Sequence, residues 1–89
     1  MTLYPNYPNP FTDGTTLKYF IPKKSYVTIL ISDRNGRIVK RLVGKKQEAG
    51  DHEVQWNGKN YRGRNVSKGY YYASIWNQGK GKTIKMIKQ

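Results

Sequence analysis

Apolar side chains recur at every second position along most of this chain, and nowhere at the three-to-four-residue spacing of a helix. The first two runs, residues 16–21 and 27–32, show this period, and a break beginning at Pro22 separates them. Because successive side chains of a strand point to opposite faces, the period predicts two β-strands. The alternation therefore favours an all-β domain.

A hairpin turn is predicted where the second run ends. The pair Asn35-Gly36 lies there, and such a pair can adopt positive φ at both central positions of a type I′ turn. The next strand should begin near Arg37, but its alternation slips, because residues 38–39 and 42–43 are adjacent apolar pairs. Such pairs indicate a β-bulge or burial of both faces, and we expect a bulge.

The middle of the chain predicts one further strand between two polar segments. Residues 44–50 are expected to form a polar connection, and residues 51–56 alternate again as a fourth strand. Residues 59–68 lack any periodicity and should form a long loop, with a short edge strand near Asn65-Val66.

Two more strands complete the pattern. Aromatic side chains occupy both faces of the run 69–76, which is typical of a strand in the middle of a sheet. A last strand is predicted at residues 82–88. Six or seven short strands with turns every 8–12 residues indicate an immunoglobulin-like antiparallel β-sandwich, with a small open barrel as the alternative.

The chain has 89 residues, which is too short for two domains. Residues 1–14 hold three of the four prolines, so they should be an extended, irregular lead-in that belongs to the domain. Residues 15–89 should form the single sandwich of about seven short strands. Its core is expected to include Leu17, Tyr19, Val27, Ile29, Ile31, Val54, Trp56, Tyr71 and Ile75.

The chain is strongly basic, with 17 Lys and Arg against 5 Asp and Glu and a net charge of +12. An anionic partner is therefore worth considering. The sequence contains no cysteine, which excludes a disulfide framework and a thiolate metal site. No segment approaches the about 18 apolar residues of a membrane-spanning helix, so no transmembrane segment is expected.

The residues give little support to catalysis or to metal binding. The only histidine, His52, alternates with apolar residues and is interpreted as an imidazole at the edge of the core. Asp51 and Glu53 should lie on the outer face of the same strand. Asp33 is better explained as a turn residue than as a calcium ligand, because the acidic ligands that should follow it are missing. We expect no enzyme activity, no cofactor and no metal.

An accessory binding module of immunoglobulin-like fold is the alternative function. Basic surface with exposed aromatics is typical of nucleic-acid binding, but residues 70–72 cannot all face one ligand and the lysines are dispersed. Specific nucleic-acid recognition is therefore not expected. Trp76 and exposed tyrosines could instead stack against a carbohydrate. The best local candidates for an anion or sugar contact lie in the long loop, and they are Lys59, Tyr61, Arg62 and Arg64.

Four motifs follow one another along almost the entire chain. The sequence LYPNYPNPF occupies residues 3–11, ISDRNGRIV occupies residues 31–39, GDHEVQWNG occupies residues 50–58, and Lys85-Met86-Ile87 lies near the end. Their order and spacing resemble the C-terminal type A sorting domains of the Bacteroidetes type IX secretion system. These domains are similar to the immunoglobulin-like domain of the flagellar hook-cap protein.

The resemblance implies a non-catalytic address at the end of a secreted cargo protein. The implied partners are the translocon and sortase proteins of the outer membrane, together with an anionic lipopolysaccharide. The implied location is the cell surface or the medium, reached through the periplasm. By the same resemblance, recognition is expected at the terminal residues Lys85, Met86, Ile87 and Lys88, and at the family's Pro-Asn-Pro-Phe element, which is Pro8, Asn9, Pro10 and Phe11.

Overall fold

The alternating runs become β-strands in a computed structural model that describes residues 1–89. There are seven strands and no helix. The structure therefore contains no helix that could span a membrane. The strands are β1 (Thr2–Leu3), β2 (Thr15–Ile21), β3 (Ser25–Asp33), β4 (Ile38–Gln47), β5 (Gly50–Trp56), β6 (Gly69–Asn77) and β7 (Lys80–Lys88).

The strands form two antiparallel sheets. One has three strands in the order β1-β2-β5, and the other has four in the order β4-β3-β6-β7. The buried side chains of both sheets join in one hydrophobic core. This confirms the predicted all-β sandwich of about seven strands. Because the strands form two separate sheets, the alternative of a small open barrel was wrong.

Eight of the nine expected core residues are buried, and only Val54 is half-exposed. Val54 packs against the core but is only partly buried, because β5 is an edge strand of the smaller sheet and is flanked by β2 on one side only. Alternation predicts which face a residue occupies but not how well that face is covered. The core also contains six residues that we did not expect: Leu3, Phe11, Ile21, Val43, Ala73 and Met86.

The β3–β4 hairpin differs from the predicted turn. Gly36 has a φ of 84°, but Asn35 does not have a positive φ, so this is not a type I′ turn. The Gly36 N–H donates to the Asp33 carbonyl (3.0 Å) and the Asp33 N–H donates to the Arg37 carbonyl (2.9 Å). These bonds describe a type I turn followed by a left-handed glycine, which closes a three-residue loop.

A two-residue hairpin with positive φ at both loop positions occurs between β6 and β7 instead. Gln78 and Gly79 have φ values of 53° and 75°, and the flanking Asn77 and Lys80 are paired. These are the features of a type I′ turn. Asn35-Gly36 has the stronger sequence signal, but the Asp33 carboxylate selects the other turn by accepting hydrogen bonds from the N–H groups of Asn35 (2.9 Å) and Arg37 (3.0 Å).

Strand β4 confirms the expected irregularity and corrects its predicted end. The pairing with β3 shifts register between Ile29 and Leu30 and again between Ile31 and Ser32, which leaves Leu42 and Val39 as the extra residues of two bulges. The strand also continues to Gln47, so the polar connection predicted at residues 44–50 was wrong. Backbone pairing with residues 25–28 of β3 extends this edge strand regardless of its side-chain polarity.

The long loop at residues 59–68 is confirmed. Its predicted edge strand is reduced to a single bridge between Asn65 and Lys59.

Replacing Trp56 with Ala should lower the free energy of unfolding by about 3–5 kcal/mol, because the indole is 1% exposed and its removal leaves a large cavity. The matched control is Trp76→Ala. That side chain is 53% exposed, so its loss should cost about 1 kcal/mol or less. Urea unfolding of both variants measures the difference, and equal losses would contradict the assignment of the inner face.

The Asp33 turn should also make stability depend on pH. The backbone hydrogen bond from Arg37, with help from that of Asn35 and from the Arg37 charge, holds the pKa of Asp33 below its ordinary value of 3.8. A lowered folded-state pKa adds stability above the unfolded-state pKa, and this is lost as the pH falls through the folded-state pKa. Asp33→Asn should therefore flatten the pH dependence of unfolding below about pH 4. An unchanged slope in Asp33→Asn would contradict this.

Candidate functional site

The two segments predicted for recognition lie side by side, although more than seventy residues separate them in the chain. The Phe11 N–H donates to the Ile87 carbonyl (3.0 Å), and the Gln89 N–H donates to the Phe11 carbonyl (2.8 Å). Phe11 and Lys88 form a parallel bridge. The lead-in therefore runs along the outer edge of β7 as a short parallel extension of the four-stranded sheet.

Asn9 adds a side-chain clamp to this pairing. Its Oδ1 accepts a hydrogen bond from the Ile87 N–H (2.9 Å), and its Nδ2 donates to the Lys85 carbonyl (3.5 Å). Prolines flank Asn9, and proline has no N–H to donate. The amide side chain thus supplies the donor and acceptor that a backbone strand would have supplied.

A row of three aromatic rings holds the lead-in against the core. The centroid of the buried Phe11 ring lies 5.5 Å from that of Trp56, and the Trp56 ring lies 5.5 Å from Tyr71, with edge-to-face angles of 61° and 63°. Such pairs add stability beyond the area they bury. Trp56 belongs to the three-stranded sheet and Tyr71 to the four-stranded sheet, so the row joins both sheets to the lead-in.

The same region anchors the long loop. The Trp56 Nε1 donates to the Lys59 carbonyl (3.0 Å), the Tyr71 hydroxyl donates to the Ser67 carbonyl (2.7 Å), and the Lys88 Nζ donates to the Val66 carbonyl (2.8 Å). Three residues outside the loop therefore satisfy three of its carbonyl groups. Lys88, expected to contact a partner, uses its ammonium group inside the domain.

The remaining terminal residues differ in what they present to solvent. Met86 is fully buried in the core, so its side chain is not available to a partner in this structure. Lys85 is exposed, and its Nζ lies 4.2 Å from the centroid of the Tyr70 ring, in the geometry of a cation–π contact. Ile87 is half-buried on the same face of the strand.

Part of the β7 edge has no strand beside it. The N–H and C=O groups of Ile87 bind the lead-in. They therefore point away from β6. By the two-residue period of a strand, the backbone groups of Lys85, Thr83 and Gly81 point the same way. The lead-in covers this edge only near its end, so the groups of Thr83 and Gly81 are open to solvent.

The predicted anion or sugar contact in the long loop is only partly assembled. The Asn60 Oδ1 accepts hydrogen bonds from the N–H groups of Arg62 (2.9 Å) and Arg64 (3.1 Å), which shapes a tight turn. Tyr61 and Arg62 line a shallow groove together with Asp33. Lys59 and Arg64 lie outside that groove, and Arg37 lines it instead, ion-paired with Asp33. This contact therefore stays a prediction.

His52 packs at the core edge as expected. Its ring stacks on the Tyr19 ring at a centroid distance of 5.4 Å, and its Nε2 lies 2.7 Å from the Glu48 carbonyl oxygen. The Tyr19 hydroxyl donates to the Gln47 Oε1 (2.6 Å), and burial raises the pKa of this phenol. Asp51 and Glu53 are exposed on β5, as predicted.

A polar contact in the lead-in was missed from the sequence. The Nδ2 of the buried Asn6 donates to the Thr15 Oγ1 (3.0 Å) and to the Pro8 carbonyl (3.3 Å), and the Thr15 hydroxyl donates to that same carbonyl (2.9 Å). The asparagines between the prolines were a usable signal, because a proline-rich segment needs side chains to replace its missing donors.

The sequence profile of the FlgD Ig-like domain matches residues 9–81. This chain belongs to the FlgD Ig-like domain family. The family is one of non-catalytic structural domains. The match begins at Asn9, so it includes most of the Pro-Asn-Pro-Phe element and all strands from β2 to β6.

Solved structures show the same fold. The chain is similar to FlgD from P. aeruginosa, with a TM-score of 0.66 and 26% identity over 84% of this chain and 59% of that one. It is also similar to dimeric latent PorU from Porphyromonas gingivalis, with a TM-score of 0.71 and 23% identity over 93% of this chain and 9% of that one. No curated protein matches the chain. The chain spans about three-fifths of the FlgD structure and less than a tenth of PorU.

The Asn9 clamp can be tested by Asn9→Ala. The variant loses both side-chain hydrogen bonds to β7, which should cost about 1 kcal/mol of stability and speed hydrogen exchange of the Ile87 amide. The matched control is Asn65→Ala, since the Asn65 side chain makes no hydrogen bond. Amide exchange followed by NMR measures the effect, and an unchanged Ile87 rate in Asn9→Ala would show that the clamp does not hold the strand.

Proposed function

We propose that this domain is a non-catalytic C-terminal sorting domain, which directs a cargo protein through the type IX secretion system of Bacteroidetes. The cargo is then released or attached at the cell surface by the sortase machinery of the outer membrane. The observation that carries the proposal is the pairing of residues 8–11 with the end of β7, because the resemblance implicates these two segments and the fold brings them into contact.

The exposed edge of β7 supports the proposal physically. The outward backbone groups of Thr83 and Gly81 can pair with a strand of a partner, and such strand addition is a common mode of recognition. Lys85 stands beside this edge and can meet an acidic group of the partner. The lead-in stops an added strand from extending past Lys85, so it would set the register of that pairing.

Deleting residues 85–89 is a poor test of this function. The deletion removes Met86 from the core and the hydrogen bonds of Phe11 with Ile87 and Gln89, so lost export would also report unfolding. Substitutions on the exposed edge avoid this problem.

Thr83→Pro in a cargo fusion should reduce export at least about tenfold, because proline removes an outward N–H while the pairing of β7 with β6 uses other groups. Thr83→Val is the matched control, since it keeps the N–H and should be exported normally. Both variants lose the hydrogen bond between Thr83 and Ser74, so a difference in export between them does not come from this bond. Export of a signal-peptide passenger in a type IX-competent host measures the effect.

The thermal transition of each purified variant must first match that of the parent domain. A folded Thr83→Pro fusion that is exported as well as Thr83→Val would contradict recognition through this edge. If the intact domain directs no export, the sorting function itself is wrong, and the accessory binding module becomes the leading account.

A further inference from the structure

The outer face of the four-stranded sheet combines exposed aromatic rings with cations. Alternation along β3 and β6 places Val27, Ile29 and Ile75 inside, so the intervening residues point outward. We call this surface the platform. It comprises the exposed side chains of Tyr26, Arg41, Lys46, Tyr70, Trp76 and Lys85.

The platform carries no acidic side chain. Asp51 and Glu53 lie on the outer face of the other sheet, opposite Phe20 and Lys18. The other three acids lie in the lead-in, at the β3–β4 turn and between β4 and β5. The two outer faces thus differ in the sign of their charge, which a net charge of +12 does not by itself require.

The Trp76 indole lies flat against the sheet. A Cβ placed on Gly81 would meet three atoms of its six-membered ring at 2.4, 2.6 and 2.8 Å, so only a glycine fits beneath it. One face of the indole is covered by the β7 backbone, while the side chain remains 53% exposed. The other face is therefore presented to solvent.

Arg41 is seated in a similar way on the same face of the sheet, on the edge strand β4. Its side chain lies over Gly44, where an added Cβ would be 3.2 Å from Nε and 3.3 Å from Cζ. Gly44, Thr28, Trp76 and Gly81 are neighbours in register across the four strands. The guanidinium has no acidic partner, so its donors are free.

A second aromatic position extends the platform along β6. Tyr70 lies six residues before Trp76, a distance of about 20 Å on a strand, and Lys85 lies over its ring at 4.2 Å. The hydroxyl groups of Ser74 and Thr83, 2.9 Å apart, lie between these two positions. Along β6 and β7 the platform thus presents the Trp76 ring, then two hydroxyl groups, and then Lys85 with the Tyr70 ring.

We propose that the platform binds a linear polysaccharide that carries carboxylate groups. The apolar C–H face of a sugar ring stacks on the exposed face of the Trp76 indole. The hydroxyl groups of Thr28 and Ser74 bind sugar hydroxyls, and the free Arg41 guanidinium fits a planar carboxylate. Single-stranded nucleic acid fits less well, because it requires a dense cationic groove and successive stacking rings. Only three cations are spread over this face.

Alginate oligosaccharide is the probe, and isothermal titration at physiological salt measures its affinity for the whole domain. Trp76→Ala should weaken binding about tenfold, the loss expected for one stacking contact. Gly81→Ala should weaken it as well, although it removes no group that touches the sugar, because its Cβ displaces the indole. Arg41→Gln should also bind less tightly.

Two matched controls distinguish binding at the platform from non-specific electrostatic attraction of alginate to the basic domain. Tyr61→Ala removes an aromatic ring that is 61% exposed but lies outside the platform, and Lys18→Gln removes a charge from the opposite sheet. Both should keep the parent affinity, and thermal transitions establish that every variant is folded.

Four results would overturn the proposal. The first is absence of measurable alginate binding, and the second is equal affinity of Trp76→Ala and the parent. The third is an equal loss in Lys18→Gln and Arg41→Gln, which would indicate charge alone. The fourth is binding of neutral cellohexaose or of oligothymidylate as tight as that of alginate.

Discussion

The position of Trp56 at the meeting point of three parts of the chain determines much of this structure. Its ring contacts Phe11 of the lead-in and Tyr71 of the opposite sheet, and its Nε1 binds the loop at Lys59. A domain of this size buries a small core, so one large side chain that joins two sheets and a loop carries a large share of the packing energy. Through Phe11 this contact holds the lead-in beside the end of β7, which is itself paired with β6 along its whole length.

The short-range features of the fold were predictable, and the long-range ones were not. Period two located β2, β3, β5, β6 and β7. The Asn35-Gly36 pair indicated where β4 begins, and the adjacent apolar residues of β4 revealed its bulges. The type of the Asn35-Gly36 turn was mispredicted because it depends on the Asp33 carboxylate, which accepts hydrogen bonds from the N–H groups of Asn35 and Arg37. The strand character of residues 44–47 depended on pairing with β3, which their own side chains do not encode.

The candidate site shows the same division. The resemblance identified residues 8–11 and 85–88 separately, but nothing in the sequence indicated that Asn9 would bind the backbone of β7. The polar character of each sheet face was likewise hidden, since a dispersed set of lysines looks uniform along the chain. The register of the strands places two acidic residues on the outer face of the three-stranded sheet and none on the outer face of the four-stranded sheet.

The parallel alignment of residues 8–11 with β7 has a mechanical consequence. A force that draws these two segments apart toward opposite ends acts along both strands, so it loads their hydrogen bonds together rather than one after another. Antiparallel β6 and β7, joined by a tight hairpin, would instead open like a zipper when pulled from their free ends. Tension applied to the two ends of the domain would therefore load the hydrogen bonds of Phe11 and Asn9 with β7 in shear.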